Sequence, residues 1–158
     1  MIGIIDYGMG NLRSVQKAFQ HEGVEATILN TPADAKHVDR LVLPGVGAFA
    51  DGMIQLQDRG WVDVIHAHIA AGRPFLGICL GMQLIFSGSE EDAPSNGELV
   101  PGLGVFDGSV RLFRPDAGQR LTVPHMGCNT LQWSRDDKLL AGLEQDCAVY
   151  FVHSYFVQ

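Results

Sequence analysis

The sequence predicts an α/β fold: a mostly parallel sheet with helices on both faces, and antiparallel hairpins added in the second half. Three observations carry this. Short apolar runs alternate with helical patterns through residue 86. The apolar runs are near-continuous rather than alternating, as strands covered on both faces must be. After about residue 87 the helical periodicity stops, and short strand-like runs separated by turns take over.

Taken in order, Ile2–Ile5 is a buried-strand run ending at Asp6. Gly8-Met9-Gly10 turns the chain, and Asn11 caps a helix to about Glu22, with Leu12, Val15 and Phe19 on one face. Gly23 stops it. Residues 25–29 form a second strand, 32–38 a short helical turn, and Leu41-Val42-Leu43 a third strand ended by Pro44-Gly45-Val46-Gly47. Trp61–Ala70 is a helix with Trp61, Ile65 and Ile69 in one row. Residues 73–78 are a fourth strand and 80–86 a helix. Residues 88–97 are a polar loop. The later strand-like runs are 105–106, 110–113, 121–123, 130–133 and 148–153. No repeat, low-complexity tract or linker interrupts them, so residues 1–158 are expected to form a single domain.

Composition narrows the function. The chain has 158 residues, 46% of them hydrophobic, enough for a real core. A formal charge of −7 argues against a protein that grips a phosphate backbone. The three cysteines, Cys79, Cys128 and Cys147, are odd in number and widely spaced, which suits neither a disulfide framework nor a zinc site. The start, Met-Ile-Gly-Ile-Ile-Asp, has no basic flank before its apolar run and reads as a strand rather than a signal peptide. A soluble, cytoplasmic protein without metal is expected.

The sharpest chemical signal is Pro74-Phe75-Leu76-Gly77-Ile78-Cys79-Leu80-Gly81-Met82-Gln83. A buried strand runs directly into a helix, and Cys79 sits at the junction within Gly-x-Cys-x-Gly, the cysteine form of a nucleophile elbow. Such a turn strains the nucleophile's backbone, and strand and helix nearly touch. The positions two before and two after must therefore be small, which Gly77 and Gly81 satisfy. The unpaired amides at the helix start favour a thiolate, and the Leu80 N–H points to where an oxyanion would form. A buried structural cysteine beside two packing glycines is the plainer alternative. The second signal, Leu43-Pro44-Gly45-Val46-Gly47, lies at the C-terminal end of the preceding strand, the edge where open parallel sheets bind ligands. A loop amide there can complete the oxyanion site. An ordinary strand-exit turn would look the same.

These two segments resemble the class I (triad) glutamine amidotransferases. With Asp6-Tyr7-Gly8-Met9-Gly10-Asn11-Leu12, Val123-Pro124-His125-Met126-Gly127 and Tyr150-Phe151-Val152-His153-Ser154-Tyr155, they look like the glutaminase subunits of imidazole glycerol phosphate synthases, along the whole chain. The resemblance implies that Cys79 attacks the side-chain amide of glutamine, forms a γ-glutamyl thioester and releases ammonia, with no cofactor. It implies that the amides of Leu80 and of Val46 or Gly47 hold the oxyanion, the loop reorienting first under control of the partner. It implies that Gly45, Gln83 and the Ser154-Tyr155 backbone hold glutamine. Asn11, His125, Met126 and His153 would face a (β/α)8-barrel cyclase subunit in a heterodimer. Subunits serving pyridoxal phosphate or chorismate acceptors, a non-catalytic module that kept the elbow, and a DJ-1-like cysteine hydrolase or redox sensor are the rival readings. The motifs around Asp6 and Val123 argue against the other acceptors, and no glutamate lies in the early strand-end loops to serve a DJ-1-like site.

Other histidines carry weaker signals. His37-Val38-Asp39 precedes the third strand, which puts it at the sheet edge opposite Cys79. His66 and His68 lie two apart on one helix, face different ways and read as solvated residues rather than metal ligands. Arg13 stands where a dinucleotide loop after Gly8 would need its third glycine. Read from the residues alone, His125 or His153 could serve as the base. Two positions depart from the resembled pattern. Cys128 follows His125-Met126-Gly127 where a tryptophan is usual, so a large aromatic contact is missing near the partner surface. In the resembled pattern the catalytic His and Glu belong to a His-Pro-Glu segment beyond Tyr155, and no such tripeptide occurs in the 158 residues, so the resemblance implies a C-terminally truncated amidotransferase domain. A thiol with no acid to protonate the departing ammonia turns over poorly. Glutamine hydrolysis by residues 1–158 alone, measured as glutamate release, is therefore expected to be weak or absent; robust turnover would refute this.

Overall fold

Ile2–Ile5 is buried at all four positions and forms β1, the second strand of a four-stranded parallel sheet. The computed structural model describes residues 1–116, 118 and 122–158. These form two compact units, Met1–Arg111 with Val157–Gln158, and Leu112–Phe156. In the first unit, β2 (Ala26–Leu29), β1, β3 (Arg40–Gly45) and β4 (Phe75–Cys79) lie in that order, every pair parallel. Parallel neighbours need crossovers, and helices supply most of them. α1 (Leu12–His21) lays Leu12, Val15 and Phe19 against Ile2, Ile4, Ala26 and Val42, the residues expected to form its apolar face. Asn11 caps it, its side-chain oxygen accepting from the Ser14 N–H at 3.3 Å.

The other helices are α2 (Phe49–Asp58), α3 (Trp61–Ala70) and α4 (Leu80–Leu84). The sequence reading passed over α2. Its buried residues, Phe49, Gly52 and Leu56, stand at helical spacing, but a glycine holds the middle place and blurs the apolar row. That glycine is needed: a Cβ at Gly52 would lie 3.1 Å from a Leu84 methyl, so α2 and α4 pack through it. The N-terminus of α2 is capped from far along the chain. The Phe49 N–H donates to the Glu91 carboxylate at 2.9 Å, and the Glu91 N–H donates to Ser89 Oγ at 3.0 Å. In α3, Trp61 is fully buried and its indole N–H donates to the Asp6 carbonyl at 3.1 Å. His68 is buried rather than solvated, contrary to expectation. Its Nε2–H donates to the Pro74 carbonyl at 3.0 Å, and burial, outweighing that bond, lowers its pKa.

Several boundaries moved. β3 continues through Pro44 and Gly45 instead of ending at Leu43. Its ladder with β1 stops at Val42, so Pro44 is paired only to β4 and its missing N–H interrupts no β1 bond. α4 stops at Leu84, and Phe86 begins a strand, β5 (Phe86–Ser89). β6 (Val100–Pro101) pairs with β5 antiparallel, but β7 (Phe106–Leu112) pairs with it in parallel. The second half therefore does not simply add antiparallel hairpins to the main sheet. β5 to β7 form a separate sheet, to which Ser109 and Gln158 add reciprocal backbone hydrogen bonds of 2.9 Å.

In the second unit, β8 (His125–Thr130) and β9 (Ala148–His153) form an antiparallel ladder from His125↔His153 to Thr130↔Ala148. β9 has the expected bounds, whereas β8 starts five residues before the expected 130–133. The run expected at 121–123 includes Leu121, outside the described residues. Phe113 stacks on Phe156 at 4.7 Å and meets His153 edge-on at 5.0 Å. The chain ends in β10 (Tyr155–Val157).

Glu91 makes a measurable prediction. Burial raises its pKa above the ordinary 4.5, and the Phe49 N–H opposes that only in part. The folded state then holds this proton more tightly than the unfolded chain. Its contribution to stability is present at low pH and is lost as pH rises above 4.5 through the folded value. Glu91→Gln keeps an acceptor for α2 and cannot ionise. In denaturant titrations its stability relative to the parent should increase from pH 4 to pH 7; a parallel pair of pH curves would contradict this.

Candidate active site

Cys79 is the last residue of β4 and the N-cap of α4, with φ 55° and ψ −120°. This is the conformation of the first central residue in a type II′ turn, which glycine adopts freely and other residues only under strain. Two sheet neighbours and one helix residue explain why the chain tolerates it. A Cβ at Gly81 would overlap the Leu43 carbonyl, and one at Gly77 would lie 2.6 Å from the Gly81 carbonyl oxygen. Gly45 is in register with Cys79 across β3 and β4, and a Cβ there would lie 2.8 Å from the Gly81 nitrogen. Helix and strands thus meet backbone to backbone, and the sharp turn at Cys79 is the way into that approach. The thiol itself is exposed.

The neighbouring candidates fall around this turn. Leu80 is the first residue of α4 and is buried; Gln83, one turn on, is half-buried. Gly45 ends β3, and Val46 follows it, 54% exposed. Gly47 has φ +100°, a value that suits glycine, and Met9 packs over it. Asn11 caps α1, which begins beyond the C-terminal end of β1. Asp39 sits at the opposite edge, its carboxylate 2.7 Å from the Met1 amino group, so His37-Val38-Asp39 is remote from Cys79 as the sequence suggested.

The remaining candidates lie in the second unit. Along the β8–β9 register, Met126 pairs with Val152 and Cys128 with Tyr150, and all four are exposed. Met126 is 63% and Tyr150 67% exposed, a largely apolar row on one face of the hairpin. His125 and His153 lie on the other face, with 3.1 Å between His125 Nδ1 and His153 Nε2. His153 Nδ1–H donates to the Tyr155 carbonyl at 2.8 Å, so in neutral His153 Nε2 accepts the His125 proton. The Ser154 carbonyl accepts from the Phe113 N–H at 2.9 Å.

Two features escaped the sequence reading. Tyr7 is fully buried and its hydroxyl lies 2.6 Å from where a Gly45 Cβ would stand. Its place directly after β1, at the ligand-binding edge, was the available signal. Glu91 as the cap of α2 left no signal, since the pairing spans 42 residues.

The family model for class I glutamine amidotransferases matches residues 3–158. The chain belongs to the class I glutamine amidotransferase family. It is 50% identical over 159 aligned residues to the imidazole glycerol phosphate synthase subunit HisH of Syntrophotalea carbinolica, covering 99% of this chain and 75% of that protein. Against the HisH subunit of Desulfitobacterium hafniense the identity is 47%, over 99% of this chain and 70% of the relative. A crystal structure of a glutamine amidotransferase shares the fold with a TM-score of 0.71 at 18% identity, covering 99% of this chain and 73% of that one. Among the described residues, no group of three or more His, Cys, Asp or Glu side chains is placed to hold a metal ion, and no helix is long and apolar enough to cross a membrane.

The strain at Cys79 is testable apart from any activity. Cys79→Gly should raise stability by about 1 kcal/mol, because glycine relieves the backbone and the exposed thiol packs little. Equilibrium denaturation would measure it, and an unchanged or lower stability would show that the turn is not strained.

Proposed function

We propose that the chain is the glutaminase subunit of an imidazole glycerol phosphate synthase. In this reading it hydrolyses glutamine to glutamate and ammonia, and the ammonia passes to a barrel-shaped cyclase subunit in histidine biosynthesis. The observation that carries the reading is the strained Cys79 turn, set where only glycines fit, in a chain whose curated relatives are HisH subunits. In this reading residues 1–158 act as one amidotransferase domain, a reading supported by the family model's match to residues 3–158.

The chemistry follows from the turn. The Cys79 thiolate attacks the side-chain amide carbon of glutamine, and the negative charge that develops on oxygen is met by the Leu80 N–H. A second donor is an amide of the Val46–Gly47 loop. Val46 is exposed and Gly47 has the backbone freedom for that loop to reorient on partner binding. Gly45 and Gln83 border the position of the amino-acid portion. The intermediate collapses as the C–N bond breaks and ammonia leaves with a proton, giving the γ-glutamyl thioester, which water then hydrolyses. Proton transfer requires a separate acid–base group, which in this reading comes from a His-Pro-Glu segment. Asn11, His125, Met126 and His153 meet the cyclase subunit in this reading. The exposed row of Met126, Cys128, Tyr150 and Val152 provides apolar area for that contact.

The decisive experiment uses 6-diazo-5-oxo-L-norleucine, a glutamine analogue that alkylates the nucleophile. Intact mass and peptide mapping should find one adduct on Cys79, suppressed by excess glutamine and formed faster with the cyclase subunit present. No glutamine-protected adduct in a chain that includes a His-Pro-Glu segment would favour an elbow kept only as scaffold.

A further inference from the structure

The outer face of α1 is basic on an acidic protein. Leu12, Val15 and Phe19 pack on the sheet, while Arg13, Lys17 and His21 stand exposed at i, i+4 and i+8. No acidic residue lies within this helix, on a chain whose formal charge is −7. A face that only kept the helix solvated would mix the two signs. This one also breaks two rules of helix electrostatics. Arg13 lies in the first turn, where the unpaired amides favour an anion, and Arg13 and Lys17, one turn apart, repel each other. Among the described residues neither reaches a carboxylate at ion-pair distance. Arg13 is also held in place. Its Nη1–H donates to Gln16 Oε1 at 2.9 Å, and Gln16 Nε2–H donates to the Ala26 carbonyl of β2 at 2.9 Å. The guanidinium borders a crevice of about 390 Å³ whose wall also includes Asp6, Leu12 and Asn30. Asp6 is engaged within its own turn, its Oδ1 accepting from the Gly8 N–H at 3.0 Å.

We infer that α1 is a docking face for acidic side chains of the cyclase subunit: Arg13, fixed by Gln16 at the crevice, receives one carboxylate, and Lys17, a turn further on, receives a second. Charge complementarity selects this occupant. A fixed guanidinium presents a fork of N–H donors that matches a carboxylate, and an incoming acid offsets the repulsion between Arg13 and Lys17. Asn11 caps the same helix and meets the cyclase in the proposed reading, so this face continues that contact along α1. Pairs of this kind set association rate and partner choice, and salt screens them. The inference rests on the glutaminase reading for the identity of the partner, but the uncompensated basic row does not.

The test is the affinity of the chain for the cyclase subunit, measured by titration calorimetry at about 50 mM and about 500 mM salt. Arg13→Glu should bind about tenfold more weakly than the parent at the lower salt, and the difference should shrink at the higher. The same variant should melt at an unchanged or higher temperature, because a glutamate suits the first turn of a helix and attracts Lys17. Lower affinity with undiminished stability separates docking from folding. Lys36→Glu makes the same charge change on an exposed residue outside α1 and should leave the affinity unaltered. Equal affinities of Arg13→Glu and the parent at both salts would overturn the proposal. So would an equal loss in Lys36→Glu, or a loss that ignores salt and comes with a lower melting temperature. Glutamine-protected labelling of Cys79 by 6-diazo-5-oxo-L-norleucine is scored separately. Its presence with an unchanged Arg13→Glu affinity would remove the docking face and leave the glutaminase reading. Its absence with a salt-sensitive loss in Arg13→Glu would do the reverse.

Discussion

The first unit depends on one close approach, that of α4 to the ends of β3 and β4. Gly45, Gly77 and Gly81 each present bare backbone to another backbone, and a single methyl at Gly81 would run into the Leu43 carbonyl. Once helix and strand are this close, the residue between them has no ordinary conformation available. Cys79 takes φ 55°, and its thiol is left exposed instead of packed. The packing of Leu80 and Leu84 on the buried side of α4 is what holds the turn closed. Strain of roughly 1–3 kcal/mol at one residue is small against that burial.

The same approach explains the neighbours. With Gly45 bare, the Tyr7 hydroxyl and the Gly81 amide can both crowd against it. With Gly52 bare, α2 settles on Leu80 and Leu84 and supports α4 from behind. The N-terminus of α2 is then fixed by a carboxylate from beyond β5, since Glu91 reaches the Phe49 N–H. Gly45, Gly52, Gly77 and Gly81 thus mark surfaces where elements touch rather than turns.

This accounts for what the sequence made legible. Strands β1 to β4 and helices α1 and α3 were readable because each is a continuous apolar run or an unbroken helical row. The elbow was readable because its steric demand acts between residues two apart, Gly77 to Cys79 to Gly81. α2 was hidden because Gly52 stands where its apolar row needs a side chain, and the reason for that glycine lies in Leu84, far along the chain. The parallel pairing of β5 with β7 was hidden for the same kind of reason. Runs of two to seven residues state that a strand exists but not which partner or direction it takes. The burial of His68 depended on the Pro74 carbonyl at the end of the next connection, which a helical wheel does not contain.

Two features of the first unit oppose stability and sit side by side: the strained backbone of Cys79 and the unpaired hydroxyl of Tyr7. Either alone could be an accident of packing. Glycine at the first position would relieve the backbone, and phenylalanine at the second would remove the unpaired group. Both departures lie where β1 and β4 end, the edge at which open parallel sheets bind ligands.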